Sequence, residues 1–195
     1  MATIISRKKW GAAPPQGRPV KTKWTAGGTV WVHHTEGTEL PATTAIQNEY
    51  QVMRSIQRFH QKTRGWSDIG YSYVIFPSGR IYEGRGKEVV GAHCPGHNAE
   101  PGVAFAGSFD DHVPTNKAWS ALGQLSSQLG MRKYKGHRDG FSTSCPGNAL
   151  YNKLRSQPPV TPKKKPKLSV YQRLRRAGFG VNSAKQILRK MGRIK

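Results

Sequence analysis

Acidic residues are scarce in this chain of 195 residues: 10 Asp and Glu stand against 32 Lys and Arg, and the formal net charge is +22. Such an excess predicts attraction to polyanions, among them nucleic acid, anionic lipid headgroups and phosphate-rich wall polymers, and it carries no information about the fold. Long apolar runs are also lacking. No stretch approaches the roughly 18 residues that a membrane-spanning helix needs, which excludes such a helix within this sequence.

Cysteine is rare as well, since only Cys94 and Cys145 occur. Two cysteines are too few for a disulfide scaffold. Residues 1–10 lack the apolar core of a secretory signal peptide, so we expect synthesis in the cytosol, where a disulfide between the two is disfavoured. One of the two cysteines is therefore a candidate metal ligand.

Three helices are predicted in this part of the chain. The first covers residues 42–63, where apolar side chains recur at steps of three and four and share one face: Ile46, Tyr50, Met53, Ile56 and Phe59. A second helix is predicted to follow Thr115-Asn116 and to end near Gly130, and a short third one is predicted near residues 148–155.

Short β-rich runs lie between and around these helices. The turn at residues 77–80 predicts that the run at residues 71–76 pairs with residues 81–83 as a hairpin. Strands interleaved with helices predict an α/β domain over residues 1–155, with a central mixed sheet flanked by helices. The predicted strands are Thr29–His34, Tyr71–Phe76, Val89–His93 and Val103–Phe109.

The C-terminal part has a different composition. Residues 156–167 are rich in proline and lysine and are predicted to be an extended linker. Beyond it, residues 169–178 align with residues 183–192 at an offset of fourteen, and each copy is predicted to be a short helix between a Ser N-cap and a Gly stop. Residues 163–195 carry 12 Lys and Arg and no acid. We expect residues 168–195 to be a basic helical appendage that binds anionic wall polymer or a membrane surface, with a solubility tail as the alternative.

Metal-capable residues concentrate at His33-His34, at His93-Cys94 with His97, and at His137 and Cys145. The last two flank a polar loop short enough for both to reach one ion. Zinc binds N and S ligands, and catalytic zinc sites combine three protein ligands with one open position. A third ligand is expected from the strand at residues 29–34. Because strand side chains alternate between faces, only one of its two histidines is expected to bind, and the alternation leaves the choice open.

Six segments, taken in order, resemble the type-2 N-acetylmuramoyl-L-alanine amidases, whose fold is shared with peptidoglycan recognition proteins and phage lysozyme-like amidases. The resemblance covers about residues 1–155. Any one segment would be weak, but their order makes the match specific. The segments are Val30–Thr35, Asp68–Phe76, Gly79–Arg85, Gly91–Asn98, Gly136–Asp139 and Thr143–Gly147.

The resemblance implies roles for particular residues. His33, His137 and Cys145 match the family's zinc ligands, and Tyr71 matches a tyrosine whose hydroxyl assists catalysis at the metal. Thr143 falls where some relatives carry a catalytic lysine and others a threonine, which weakens the expectation of a cationic oxyanion stabiliser.

Other polar residues are assigned more loosely. The Gly91–Asn98 segment resembles the family's substrate-side loop, so His93 and Asn98, together with His34, are predicted to contact the muramyl-peptide, with a structural role as the alternative. Cys94 has competing interpretations as a fourth metal ligand or a partner of Cys145. His60 and His112 are interpreted as surface residues.

The implied activity is a Zn²⁺-dependent cleavage of the bond between N-acetylmuramic acid and L-alanine. Zinc polarises the amide carbonyl and lowers the pKa of water towards about 7, and no carboxylate general base is evident. We expect a monomeric phage endolysin held in the host cytoplasm until a pore-forming partner admits it to the wall. The alternatives are a non-catalytic peptidoglycan-recognition protein and a bacterial autolysin. Nucleic-acid binding is not expected as the main function, because it explains none of the ordered motifs.

Overall fold

A computed structural model describes residues 2–37, 39–156 and 170–191. The chain forms two compact units, Met1–Thr161 and Pro162–Lys195. The boundary falls within the predicted linker, whose residues from 157 onwards lie outside the described residues. Within the described ranges, no helix has both the length and the apolar character required to cross a bilayer.

Residues 2–37 and 39–156, the described part of the first unit, contain six strands and four α-helices. A π-helix, Phe59–Thr63, continues α2, and a 3-10 turn, His137–Asp139, follows β6. The strands and helices in chain order are β1 (Ile4–Ile5), α1 (Arg7–Trp10), β2 (Thr29–His34), α2 (Ile46–Arg58), β3 (Tyr73–Ile75), β4 (Ile81–Glu83), β5 (Gly102–Phe105), α3 (Asn116–Leu129), β6 (Lys133–Gly136) and α4 (Asn148–Arg155).

The six strands form one mixed sheet in the order β1-β4-β3-β5-β2-β6. Only β3 and β4 are antiparallel, as expected for the predicted hairpin, and all other neighbours are parallel. This confirms the predicted fold class, a central mixed sheet flanked by helices. The parallel pairs place the carboxyl ends of β2, β5 and β6 at one edge, where polar residues of parallel sheets commonly gather.

Alternation along the strands divides the core between the two faces of the sheet. On one face, Val30 and Val32 belong to a buried cluster with Leu122 and Leu125 of α3 and Leu150 of α4. On the other face, a second cluster joins residues of α1 and α2 to the middle of the sheet: Trp10, Met53, Val74 and Tyr82. The register pairs His33 with Ala104 and Ala104 with Val74, so His33 lies on the α2 face.

The helix predictions largely hold. The predicted helix at residues 42–63 is observed as α2 and its π-helical continuation, but it starts at Ile46. For α3, the Thr115 side chain accepts a hydrogen bond from the amide of Ala118 at 3.2 Å, and Gly130 ends the helix with a φ of 75°. Both ends of this helix therefore lie where the capping residues predicted them.

The predicted strand Val89–His93 is wrong. Val89 forms only an isolated bridge with Lys21. The Gly91 amide donates to the carbonyl of Asn98 at 2.7 Å, so the segment folds back on itself as a loop. Its backbone hydrogen bonds are therefore made within the loop and to neighbouring loops, and none is left for a strand ladder.

His60 was predicted to be a surface residue, and this is wrong too. His60 lies in the π-helical turn and is 7% exposed, and its ring stacks on Trp66 with ring centroids 4.7 Å apart. Its Nδ1 accepts a hydrogen bond from the Gly70 amide at 3.2 Å, which requires that this nitrogen carry no proton. Burial, followed by the charges of Arg64 and Arg85, lowers the pKa of His60 from 6.5 to about 4.

The stability of the fold should therefore decline with acid in a way that depends on His60. Its neutral form stabilises the fold fully above the unfolded-state pKa of about 6.5, and this contribution, up to about 3 kcal/mol, is lost as the pH falls towards 4. His60→Asn keeps an acceptor for the Gly70 amide without titrating, so its free energy of unfolding should decline less steeply than that of the native chain in urea titrations between pH 7 and pH 4. His112→Asn is the control. His112 is exposed and its pKa is raised by Glu39 and Asp111, so its replacement should not make the decline less steep. Equal slopes for His60→Asn and the native chain would contradict the assignment.

Residues 170–191, the described part of the second unit, contain two helices, α5 (Val170–Arg176) and α6 (Val181–Lys190). Both repeats are thus helical, as predicted. The proposed N-cap at Ser183 is wrong, because α6 starts two residues earlier and is capped by Gly180, whose extended ψ of 161° lets the helix begin at Val181. The matching residues Ser169 and Gly192 lie outside the described residues.

Candidate metal centre

Strand register brings two histidines together. β2 and β6 are parallel neighbours with Val32 opposite Gly136, so the next residue of each chain segment, His33 and His137, lies at the same edge of the sheet. Their ring centroids are 4.6 Å apart. His33 is buried, and His137 opens the 3-10 turn that follows β6. The pairing of β2 with β6 thus brings together two histidines that are 104 positions apart in the sequence.

The loop after His137 returns Cys145 to the same place. The Arg138 amide donates to the carbonyl of Cys145 at 3.2 Å, and the Arg138 guanidinium donates to Asn148 at 2.8 Å. Asp139 accepts from the Gly136 amide at 2.8 Å and from the Tyr151 hydroxyl at 2.6 Å. These bonds tie both ends of the loop to β6 and α4, and they hold the cysteine beside the two histidines.

His33, His137 and Cys145 form a group that could hold a metal ion, since one potential ligand atom from each lies within 4.8 Å of the others. The Cys145 sulfur is 3.8 Å from His33 Nδ1, and the buried His137 Nε2 has no hydrogen-bond partner among the residues that the structure describes. His34 is not in the group, so the choice left open by strand alternation falls on His33. Two imidazoles and one thiol are a donor set that suits zinc with a free position.

The histidines are in the protonation state that a metal requires. The pKa of His33 is well below its ordinary value because the ring is buried and lies near His93 and His137. Burial and the proximity of His34 lower the pKa of His137. Burial raises the pKa of the Cys145 thiol to about 12. Cys145 would hold a metal ion as the thiolate, because binding of the ion would offset this shift and displace the thiol proton.

Tyr71 lies at the same centre. Its ring centroid is 5.4 Å from that of His33, and its hydroxyl donates to the backbone carbonyl of His34 at 3.4 Å. Burial and the neighbouring Cys145 raise its pKa above the ordinary value, so the hydroxyl stays protonated as a donor. Thr143 lies two residues before Cys145, and its side-chain oxygen accepts a hydrogen bond from the Cys145 amide at 3.2 Å. Its catalytic role stays a prediction.

The three predicted substrate contacts already have partners within the protein. His34 is buried, with Nδ1 accepting from the Phe109 amide at 3.4 Å. Asn98 accepts from the amides of His93 and Cys94 at 2.7 and 2.9 Å. His93 Nδ1 is 3.1 Å from His33 Nε2. Their contacts with substrate stay predictions.

Cys94 is buried, is not bonded to Cys145, and is not a member of the metal-capable group found among the described residues. Glu36 is a carboxylate that the sequence analysis missed. It has a left-handed φ of 59°, and its Oε1 lies 3.4 Å from His34 Nε2. Its charge raises the pKa of both Tyr71 and Cys145. Only its position two residues after the His-His pair signals it in the sequence.

Comparison with known proteins decides the family. A profile described as N-acetylmuramoyl-L-alanine amidase matches residues 25–148, a stretch that includes His33, Tyr71, His137 and Cys145. The chain belongs to the N-acetylmuramoyl-L-alanine amidase family. This family membership confirms the resemblance inferred from the six ordered segments.

Relatives of this amidase-family chain include an N-acetylmuramoyl-L-alanine amidase from Mus musculus, 43% identical over 81% of this chain and 31% of the relative. Peptidoglycan-recognition protein SC2 of Drosophila melanogaster is 32% identical over 79% of this chain and 85% of its own length. The crystal structure of peptidoglycan recognition protein LE in complex with tracheal cytotoxin has a TM-score of 0.73 at 32% identity, covering 80% of this chain and 94% of that one. This chain spans about a third of the length of the mammalian amidase.

Proposed function

We propose that this protein is a zinc-dependent N-acetylmuramoyl-L-alanine amidase that hydrolyses the lactyl-amide bond of peptidoglycan. The convergence of His33, His137 and Cys145 carries the proposal, because a three-ligand N/N/S set at a strand edge is a zinc-hydrolase arrangement. The family profile and the mouse amidase support the reaction. The complex of the recognition protein with tracheal cytotoxin, a monomeric diaminopimelic acid-type peptidoglycan, supports the substrate class.

The residues of the centre have different roles in the proposed reaction. His33, His137 and Cys145 would hold zinc, which supplies a Lewis acid for the amide carbonyl and a water nucleophile near neutral pH. Tyr71 donates a hydrogen bond to the carbonyl oxygen as negative charge develops there, and Thr143 has a hydroxyl hydrogen for the same task. Glu36 supplies a solvent-exposed carboxylate beside these groups, able to accept a proton.

Purified cell wall gives the direct test. Digestion should release peptides with new L-alanine amino groups and leave intact glycan strands, as identified by mass spectrometry. A chelator should stop the release, and added zinc should restore it. Binding without cleavage would favour the alternative, a recognition protein of the same fold, which the names of several relatives suggest. New reducing sugar ends would indicate a glycosidase and overturn the proposal.

Tyr71→Phe should reduce the rate of amide hydrolysis by about 10²–10³-fold, the usual effect of one lost oxyanion donor. Zinc affinity should be unchanged, because Tyr71 is outside the ligand group. Tyr73→Phe is the matched control, since Tyr73 packs in the core cluster of the α3 face. Turnover on a soluble muramyl-peptide checks both variants, and an unimpaired Tyr71→Phe variant would exclude the hydroxyl from catalysis.

We propose further that the basic tail binds phosphate-bearing surfaces, either wall polymer or anionic lipid headgroups. Residues 163–195 hold 12 Lys and Arg without an acid. Three apolar side chains in the same part of the chain are exposed: Phe179 by 42%, Val181 by 43% and Met191 by 52%. Basic charge combined with exposed apolar groups suits an anionic interface.

Deleting residues 163–195 should weaken wall binding at low salt by about 100-fold or more, because each cation near an anionic surface contributes about 1 kcal/mol. Raising the salt concentration should abolish most of the difference. Sedimentation with intact walls, with walls stripped of phosphate polymer, and with anionic vesicles separates the two sources of phosphate. The control replaces the lysines of residues 163–167 with glutamine and leaves the helices intact. Wall affinity unchanged by the deletion contradicts the proposal.

The biological setting stays a prediction. Phage-mediated lysis, retention in the host cytoplasm until release, and a monomeric state were expected from the sequence, and we retain them as proposals. A lysis assay in which expression of the chain is lethal only when a membrane pore is co-expressed would test the first two. Light scattering of the purified protein would test the third.

A further inference from the structure

His93 occupies a slot built from two glycines. His93 is 5% exposed, and a Cβ atom on either Gly91 or Gly102 would lie 2.4 Å from its Cδ2 atom. The backbone at both positions therefore passes closer to the ring than any other residue would allow. Asn98 fixes the same loop by accepting from the His93 amide at 2.7 Å. The orientation of this ring is thus determined by the protein itself.

Two hydrogen bonds decide the tautomer of His93. Its Nε2 lies 3.1 Å from the backbone carbonyl of Glu100, which can only accept, so Nε2 carries the hydrogen. The ring is buried, and no carboxylate among the described residues contacts either of its nitrogens, so it is neutral. Nδ1 is consequently an acceptor, and its partner at 3.1 Å is Nε2 of His33.

The tautomer of His93 determines that of His33 at the metal centre. A neutral His33 that donates from Nε2 has an unprotonated Nδ1, and Nδ1 is the atom that faces the Cys145 sulfur at 3.8 Å. The lone pair of His33 is therefore directed to the place that the other two candidate ligands share.

We propose that His93 is a positioning residue, which holds His33 in the tautomer and orientation that a metal ion requires through a chain from the Glu100 carbonyl to His93 to His33. The proposal rests on the proposed function in that zinc is the ion bound. Outer-shell partners of this kind orient metal-binding histidines and raise their basicity.

Two substitutions of His93 separate hydrogen bonding from packing. His93→Phe keeps a planar ring in the glycine slot but removes the acceptor, and zinc should bind about 10–100-fold more weakly. His93→Asn restores an acceptor near the place of Nδ1, and its affinity should return to within a few-fold of the native value. Competition with a chromophoric chelator measures the affinities. The Co²⁺-loaded His93→Phe variant should also show altered ligand-field bands, which a packing defect alone would not produce.

His97→Phe is the matched control. His97 belongs to the same loop and bonds the Glu100 side chain at 3.1 Å, but it stacks on Trp31 and does not contact His33. Its zinc affinity should be native. Native affinity in His93→Phe would overturn the proposal. A native chain that binds zinc with the expected dependence on His93 but leaves peptidoglycan uncut would refute the amidase and leave the positioning role in place.

A measurement on the metal-free native chain removes any dependence on the folding of variants. Long-range ¹H–¹⁵N correlation spectra of the imidazoles report which nitrogen carries the hydrogen. Both His33 and His93 are expected to be protonated at Nε2 alone. Protonation of His33 at Nδ1 would overturn the proposal whatever the variants do.

Discussion

Replacing Cys145 with alanine is expected to remove zinc binding and to lower amide hydrolysis by about 10³-fold or more, while leaving the fold in place. Metal-ion catalysis contributes several kcal/mol of transition-state stabilisation, and every 1.36 kcal/mol or so is a factor of ten in rate. The two histidines that remain in the group are too few for a catalytic zinc site. Metal content by atomic emission, turnover on a muramyl-peptide and circular dichroism measure the three effects.

The chain offers a matched control in its only other cysteine. Cys94 is fully buried, yet it lies outside the group formed by His33, His137 and Cys145. Cys94→Ala should therefore keep one zinc ion per chain and full turnover, with a stability loss of about 1 kcal/mol. Should Cys145→Ala retain native turnover, or Cys94→Ala lose its metal, the proposed ligand set would be wrong.

Gly147→Ala is expected to lower the free energy of unfolding by about 2 to 6 kcal/mol, from backbone strain and overpacking together. Gly147 has a φ of 90°, which side chains rarely adopt, and a Cβ atom there would lie 2.3 Å from the carbonyl oxygen of Phe109. Gly147 is the N-cap of α4 and lies two positions after Cys145, so relief of the clash must move the loop that carries Cys145. Urea denaturation should show the loss, and zinc affinity should fall with it.

Gly123→Ala provides the opposite expectation with the same chemical change. Gly123 lies inside α3, and a Cβ atom there meets nothing within 4 Å. Alanine should stabilise the protein by about 0.5 to 1 kcal/mol, because it has the higher helix propensity and the less mobile unfolded chain. If both substitutions destabilise to the same extent, the clash with Phe109 does not explain the effect at Gly147.

Much of the helical framework was predictable because its signals are local. Thr115 and Gly130 bracket α3 as a cap and a stop, and the apolar stripe of α2 extends over several turns. The candidate site was predictable for a different reason. His33, His137 and Cys145 sit in ordered motifs that resemble a known family, and the structure brings those three together.

What could not be predicted depends on contacts distant in the chain. β6 reads Lys-Tyr-Lys-Gly, an exposed edge strand without an apolar signal, and only its pairing with β2 defines it. The burial of His60 arises from a π-helical turn within a pattern that otherwise predicts an ordinary helix. The contact between His93 and His33 crosses 60 positions and needs two glycines to admit the ring.

The pairing of Val32 with Gly136 has a consequence for assembly. His33 and His137 become neighbours only once the last strand has added to the edge of the sheet, and Cys145 follows only when the succeeding loop has closed. A partly synthesised or partly unfolded chain therefore contains no zinc site of this kind. Bound metal would in turn fasten to its neighbour an outer strand that has lysine at two of its four positions, so that loss of the ion and fraying of that strand would occur together.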